Sequence, residues 1–165
     1  MKIKNATKLS TTKPRKDAIH IAEAGLEAID TRKIILKKVK LQKNSLVIDK
    51  KVFSLEDTKN IYVVAIGKCA GEASLALEKV LGKKIKAGIA LDVKKISRLK
   101  IIKSLIGSHP LPSQKNTDGS IEIINLIKNL AENDLVLFVI SGGGSTLLCA
   151  PRKGTCQEET LIVQK

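Results

Sequence analysis

The residue pattern predicts a three-layer α/β domain around a largely parallel sheet. Short apolar runs alternate with amphipathic stretches after a helical N-terminal region, the order that builds βαβ units. The runs Ile61–Ile66 and Leu135–Ile140 are apolar throughout, and the second reads as a strand covered on both faces. Each of these two runs passes directly into a glycine-containing turn and then a helical start, Gly67-Lys68-Cys69-Ala70-Gly71 and Ser141-Gly142-Gly143-Gly144-Ser145. Strand, glycine turn and helix start are the parts with which α/β proteins hold phosphate.

The elements follow in order. Residues 1–14 read as a flexible basic tail ending at Pro14, and 15–165 as the α/β domain. Arg15–Ile29 carries Ala18, Ile19, Ala22, Leu26 and Ile29 at helical spacing, so these form the predicted inner stripe. A second helix is predicted over Thr31–Leu41 with Asp30 as N-cap, placing Ile34, Ile35 and Val39 inward. Leu46–Ile48 and Val52–Leu55 flank a polar turn at Asp49-Lys50-Lys51 and suggest a hairpin. After the strand at Ile61–Ile66, a helix runs to Leu81 and stops at Gly82. Further strands are predicted at Ile85–Leu91, ending at Asp92, and at Ile101–Ile106. The two prolines of Gly107-Ser108-His109-Pro110-Leu111-Pro112-Ser113 exclude helix and central strand there and imply a rigid loop. Asn116–Leu130 is predicted helical, with Ile121, Ile124 and Leu126 or Ile127 buried. Thr146–Ala150 reads as the first turns of another helix, and Cys156–Lys165 as the start of an amphipathic one. That last helix has no stop signal, so the pattern predicts an incomplete domain.

Bulk composition narrows the class. Apolar residues make up 43% of the 165, which suits a packed globular chain and not a disordered one. The formal charge is +14, from 30 basic and 16 acidic residues, but only Arg15, Arg32, Arg98 and Arg152 are arginines. A lysine-dominated excess with 2% aromatics is poor material for base stacking or bidentate base reading, so nucleic acid is an unlikely partner. It suits a solvated surface or one that attracts small anions. Cys69, Cys149 and Cys156 lack CxxC spacing and form no metal pattern with His20 and His109. Their odd number and the polar, basic Met1–Lys16 stretch lead to the expectation of reduced thiols in a cytoplasmic protein. No apolar run approaches membrane-spanning length, so no membrane partner is expected.

The candidate site lies on the two glycine turns. Gly142, Gly143 and Gly144 can adopt angles closed to other residues, and their N–H groups can converge on an anion. Ser141 and Ser145 add hydroxyls. Lys68 falls at the carboxyl end of one strand, beside Gly67 and a helix N-terminus, where a point charge can meet phosphate or carboxylate. The spacing is not that of a Walker A loop. His109 can border the same cleft, although a bond to its own loop is an equal alternative. A plain surface loop is the alternative reading of the triple glycine, and a helix-starting lysine that of Lys68. No metal ligands are assigned.

Three stretches, Val63–Gly71, Gly107–Pro112 and Ile140–Leu148, together resemble the N-terminal part of glycerate 2-kinases that carry a C-terminal MOFRL domain. The likeness runs from about Asp17 to the end, and it implies a Rossmann-like N-terminal domain with the active site in a cleft against a second domain. It implies transfer of the γ-phosphoryl group of ATP to the 2-hydroxyl of D-glycerate, with Mg2+ or a similar ion. It implies Lys68 as the catalytic cation, Gly67 and Ser141–Ser145 around phosphate or substrate, and His109 at the border. Cys69 stands where the family usually has a small residue. Family members extend well past residue 165, so the resemblance implies a fragment without turnover, lacking a domain that completes the cleft. The alternatives are a phosphosugar-binding module of sugar-isomerase type, a basic nucleic-acid binder and, more weakly, a hydrolase built on Ser141, for which the Gly-x-Ser-x-Gly elbow is absent. One geometric condition decides whether the site exists: Lys68 and Gly142–Gly144 must share one end of the sheet.

Overall fold

In the computed structural model, residues 2–151, 154–156, 158 and 161 are described. Helices α1 (Ala6–Leu9), α2 (Lys13–Ala28) and α3 (Thr31–Lys38) lead into a meander of β1 (Val39–Gln42), β2 (Ser45–Ile48) and β3 (Lys51–Ser54). Then come β4 (Ile61–Ile66), α4 (Ala70–Leu81), β5 (Ile85–Asp92), β6 (Ile102–Ile106), α5 (Gln114–Lys128), β7 (Leu135–Ile140) and the single turn α6 (Gly144–Leu147).

The main sheet has four strands in the order β6-β5-β4-β7, and every neighbouring pair is parallel. Along β4 alternate side chains face opposite layers. Val63 and Ala65 pack with Ala70, Leu77 and Leu81 of α4 and with Val39 and Leu46 of the meander. Val64 and Ile66 pack with Ile89, Leu91, Ile123 of α5 and Leu147. Helices thus cover both faces, and the predicted three-layer α/β architecture is the one found. From β4 the chain steps outward through β5 to β6, then crosses back under α5 to β7 on the other side of β4. The strand order therefore reverses between β4 and β7, and in open α/β sheets the crevice outside the strand ends lies at such a reversal.

Several elements differ from the sequence reading. The segment read as a flexible tail contains α1, with Ala6 buried, and the Lys2 and Ile3 amides donate to Glu23 of α2. Pro14 does not end a tail; it sits in the first turn of α2, where the missing N–H costs nothing. The α2 stripe is not buried: Ala18, Ala22, Leu26 and Ile29 are exposed, Ile29 at 70%, and Ile19 is half-buried. Asp30 caps α3 as predicted, accepting from the Lys33 amide. That helix stops at Lys38, because Val39–Gln42 pair antiparallel with Ser45–Ile48 and extend the hairpin to three strands. On α5 the buried positions are Asn116, Gly119, Ser120 and Ile123, while Ile121 and Ile124 stay exposed. Gly119 is buried because Leu91 lies where its Cβ would be, 2.9 Å from the nearest atom.

The run Leu135–Ile140 is a strand, but it forms the sheet edge and is not covered on both faces. Phe138 is 53% and Ile140 73% exposed. The helix predicted over Thr146–Ala150 is instead the one turn at Gly144–Leu147, with Leu148 extended. Most of the helix predicted over Cys156–Lys165 lies outside the described residues. The expectation of reduced thiols also fails for two cysteines: Cys149 and Cys156 form a disulfide, with Cα atoms 6.0 Å apart, and Cys69 is the free thiol among the described residues. The chain folds back after α6 and brings together two residues whose spacing gives no local signal. No described helix is long and apolar enough to cross a membrane.

Candidate anion-binding site

The β4–β7 register places Ile66 opposite Ile140, so Gly67 and Ser141 leave the sheet side by side. The ladder continues into the turns. Ser141 N–H donates to Ile66 O (2.9 Å), and Lys68 N–H donates to Gly142 O (2.9 Å). Gly67 is required where it stands: its φ is +119°, and a Cβ would lie 2.2 Å from Ser141 Oγ and 2.6 Å from Ser141 O. Only glycine combines that angle with that approach.

Most amides at the N-terminus of α4 are engaged from within. Ser141 Oγ accepts from the Cys69 amide (3.2 Å) and donates to Ile66 O (3.3 Å). The buried Asp92 carboxylate accepts from the amides of Gly71 (2.9 Å) and Val93 (2.7 Å). The Ala70 amide donates to Gly67 O. Both donors of Ser141 are consequently taken inside the fold. Its hydroxyl clasps the two turns together and is engaged on both sides, which is no state for a hydrolase nucleophile.

The second turn is open. Gly143 adopts φ +86° and lets the chain enter α6. Gly144 N–H returns to Ser141 O, whereas the amides of Gly142, Gly143 and Ser145 have no partner among the described residues. Ser145 is exposed, and its hydroxyl is likewise unpaired. Two further side chains border Gly143: a Cβ there would lie 3.0 Å from His109 Cδ2 and 3.3 Å from Lys68 Cε. Lys68 is exposed and has no ion-pair partner among the described residues. Lys68, His109 and the glycine turn therefore share one end of the sheet, at the β4–β7 reversal. Gly67 and Ser141 lie behind them as support, and Gly144 is buried beneath.

His109 reaches this place through a loop whose His109–Pro110 peptide is cis. Asn116 holds that loop, and the sequence alone gives it no part beyond starting a helix. It is fully buried, and its amide bonds Ser108 N, Ser108 O, Ser113 N and Thr146 O. Asp92 likewise reads in the sequence only as a strand end. A buried polar residue at a helix start or strand end is the one available signal for either. Among the described residues no group of three or more His, Cys, Asp or Glu could hold a metal ion.

A doubly wound parallel sheet, with two glycine turns and a lysine that has no ion-pair partner among the described residues at its reversal, defines an α/β protein with a candidate site at that sheet end. Residues 17–165 match DUF4147, a domain of unknown function, and the chain belongs to that family. It is 30% identical over 149 residues to the glycerate 2-kinase of Pyrococcus horikoshii, a match covering 88% of this chain and 32% of that protein. A crystal structure of a Pyrococcus horikoshii protein superposes with a TM-score of 0.76 at 29% identity, covering 93% of this chain and 34% of the other. The structure of glycerate kinase from Thermotoga maritima gives 0.64 at 28% identity, with 88% and 32% covered. The chain spans about a third of the length of these relatives.

Proposed function

We propose that the Gly142–Ser145 turn and Lys68 hold phosphate oxygens of ATP, in a protein that phosphorylates the 2-hydroxyl of D-glycerate to give 2-phosphoglycerate. The observation that carries this is the meeting of one unpaired lysine with three unpaired amides at the sheet reversal. Phosphoryl transfer asks a protein mainly for positioning and for neutralising spread negative charge. Fixed N–H dipoles and a lysine supply both. His109 borders the same space and can donate a hydrogen bond to the bound group. The names of the relatives supply the choice of substrate.

The described residues fit phosphate but do not form a metal site of their own, so no step is assigned to the Mg2+ that the resemblance implies. The 165-residue chain provides one wall of the cleft in this reading. Turnover then depends on residues in the part of the relatives that it does not span.

The reading is tested by calorimetric titration of the chain with ATP, inorganic phosphate and glucose 6-phosphate, beside Lys68→Met. ATP and phosphate should bind, glucose 6-phosphate should bind no better than phosphate, and the variant should bind ATP at least about tenfold more weakly, the scale of one charge-assisted contact. Lys68 is exposed and unpaired, so stability should not change. Equal ATP affinity in the variant removes Lys68 from the site. Preference for the hexose phosphate replaces the kinase reading with a phosphosugar module. ATP-dependent 2-phosphoglycerate formation by the chain alone would overturn the assignment of turnover to absent residues.

A further inference from the structure

We infer that Asn116 is a positioning residue: its buried amide locks the glycine turn against the His109 loop and so sets the gap in which the anion is gripped. This rests on the phosphate reading above and extends it to a residue that touches no ligand.

Asn116 is the third residue of α5, and helix capping accounts for part of its bonding. Its Oδ1 accepts from the amide of Ser113 (3.1 Å), the N-cap residue, and lies 3.3 Å from the Ser113 hydroxyl. The remaining bonds leave the helix. Oδ1 also accepts from Ser108 N (2.8 Å), while Nδ2 donates to Ser108 O (3.0 Å) and to Thr146 O (2.8 Å). One amide thus fastens the near end of the His109 loop, its far end, and the α6 turn thirty residues on. Both amide protons are used, and the side chain is 0% exposed. In such surroundings each bond is strong, and removing a partner leaves a buried group unsatisfied.

The bond to Thr146 O is not needed to cap α5. What it fixes is the distance between Gly143 and the His109 ring, a gap too narrow for a side chain, since a Cβ on Gly143 would lie 3.0 Å from His109 Cδ2. The packing agrees: a Cβ on Gly107 would lie 2.5 Å from Leu147 Cδ2 and 3.4 Å from the Asn116 amide, so loop, turn and amide are pressed together. Ser120, one turn along α5, adds a second tether by accepting from Cys149 N–H (2.8 Å) and donating to Asn116 O (2.8 Å).

The test is NMR on the 15N-labelled full chain, comparing wild type with Asn116→Leu, a neutral residue of similar shape. Without ligand, the wild type should show a nuclear Overhauser effect between the His109 ring and Gly143 Hα, and the variant should not. On titration with inorganic phosphate, the wild-type amides of Gly143 and Ser145 should shift. The variant's apparent affinity should fall about five- to tenfold, the scale of one or two buried hydrogen bonds. If Asn116→Leu does not fold, Asn116→Asp keeps the shape and one acceptor oxygen, replaces the two donors by a carboxylate oxygen that repels Thr146 O, and reads the same Overhauser effect. An Overhauser effect that survives in the variant, with wild-type phosphate affinity, overturns the positioning role. Its disappearance in the variant, with wild-type amides that ignore phosphate, overturns the phosphate cradle instead, and with it any role for Asn116 in binding.

Discussion

Replacing Gly67 by alanine tests how closely the two turns are built together. The added methyl would sit 2.2 Å from Ser141 Oγ and 2.6–2.8 Å from the Ser141 carbonyl, on a backbone held at φ +119°. Holding a residue with a Cβ in that conformation costs about 1–3 kcal/mol. Forcing a methyl into filled space costs a further 1–3 kcal/mol or so. The Ser141 hydroxyl can rotate away but the Ser141 carbonyl is main chain and cannot, so the middle of the combined range of about 2–6 kcal/mol applies, about 3–5 kcal/mol. For a chain of this size each kcal/mol moves the melting temperature by roughly 2–4 °C, so Gly67→Ala should melt about 10 °C below wild type. Gly142→Ala is the internal control. Nothing lies within 4 Å of its Cβ position and its φ is not positive, so it should stay within about 0.5 kcal/mol. Both are read by urea denaturation and by calorimetry. Equal midpoints for the two variants would refute the close approach of the turns, and with it the shared sheet end on which the site depends.

Two further outcomes follow from the same structure. The Cys149–Cys156 bond closes a short loop with a sequence separation of 7, so the chain-entropy relation gives it about 2 kcal/mol of stability. Dithiothreitol, or Cys149→Ser, should lower the urea midpoint accordingly, and an unchanged midpoint would refute a bond that persists in solution. The Ala131 amide, followed by Asn60, holds the Asp134 carboxyl below its ordinary value, and this carboxylate ties the start of β7 to the residue before β4. A depressed carboxyl contributes stability that is present above its unfolded value, about 4, and disappears as pH falls through the lower folded one. Asp134→Asn should therefore flatten the acid limb of the stability profile below about pH 4, and an identical acid limb would show that the tie does not form.

Much of the fold was legible because it rests on local signals. Ile61–Ile66 has no charged residue to spoil a central strand, and Gly82 ends α4 at φ +50°. Asp30 caps α3 with the side chain its type suggests. What failed depended on partners far along the chain. Val39–Gln42 could extend a helix equally well, and only pairing with Ser45–Ile48 decides for strand. The apolar run of β7 announces a strand but not its place at the edge. The α5 stripe misled because its buried face uses Gly119, Ser120 and Asn116, which fit against Leu91 and bond across to the glycine turn, while the isoleucines at 121 and 124 face out. At the site, the glycines, Lys68 and His109 were visible as residue types. The internal use of Ser141, the burial of Asp92 and the reach of Asn116 were not, since each joins stretches 21 to 72 residues or so apart.

The ladder that runs past Ile66 and Ile140 into the turns has a thermodynamic consequence. A free triple-glycine segment would surrender on the order of 1–2 kcal/mol of backbone entropy per residue on closing around a guest. Here Lys68 N–H on Gly142 O, Ser141 N–H on Ile66 O and Gly144 N–H on Ser141 O have already taken that freedom away during folding. In the proposed reading an arriving anion meets a surface cast in advance, and its affinity reflects direct bonding and dehydration rather than the taming of a loose loop.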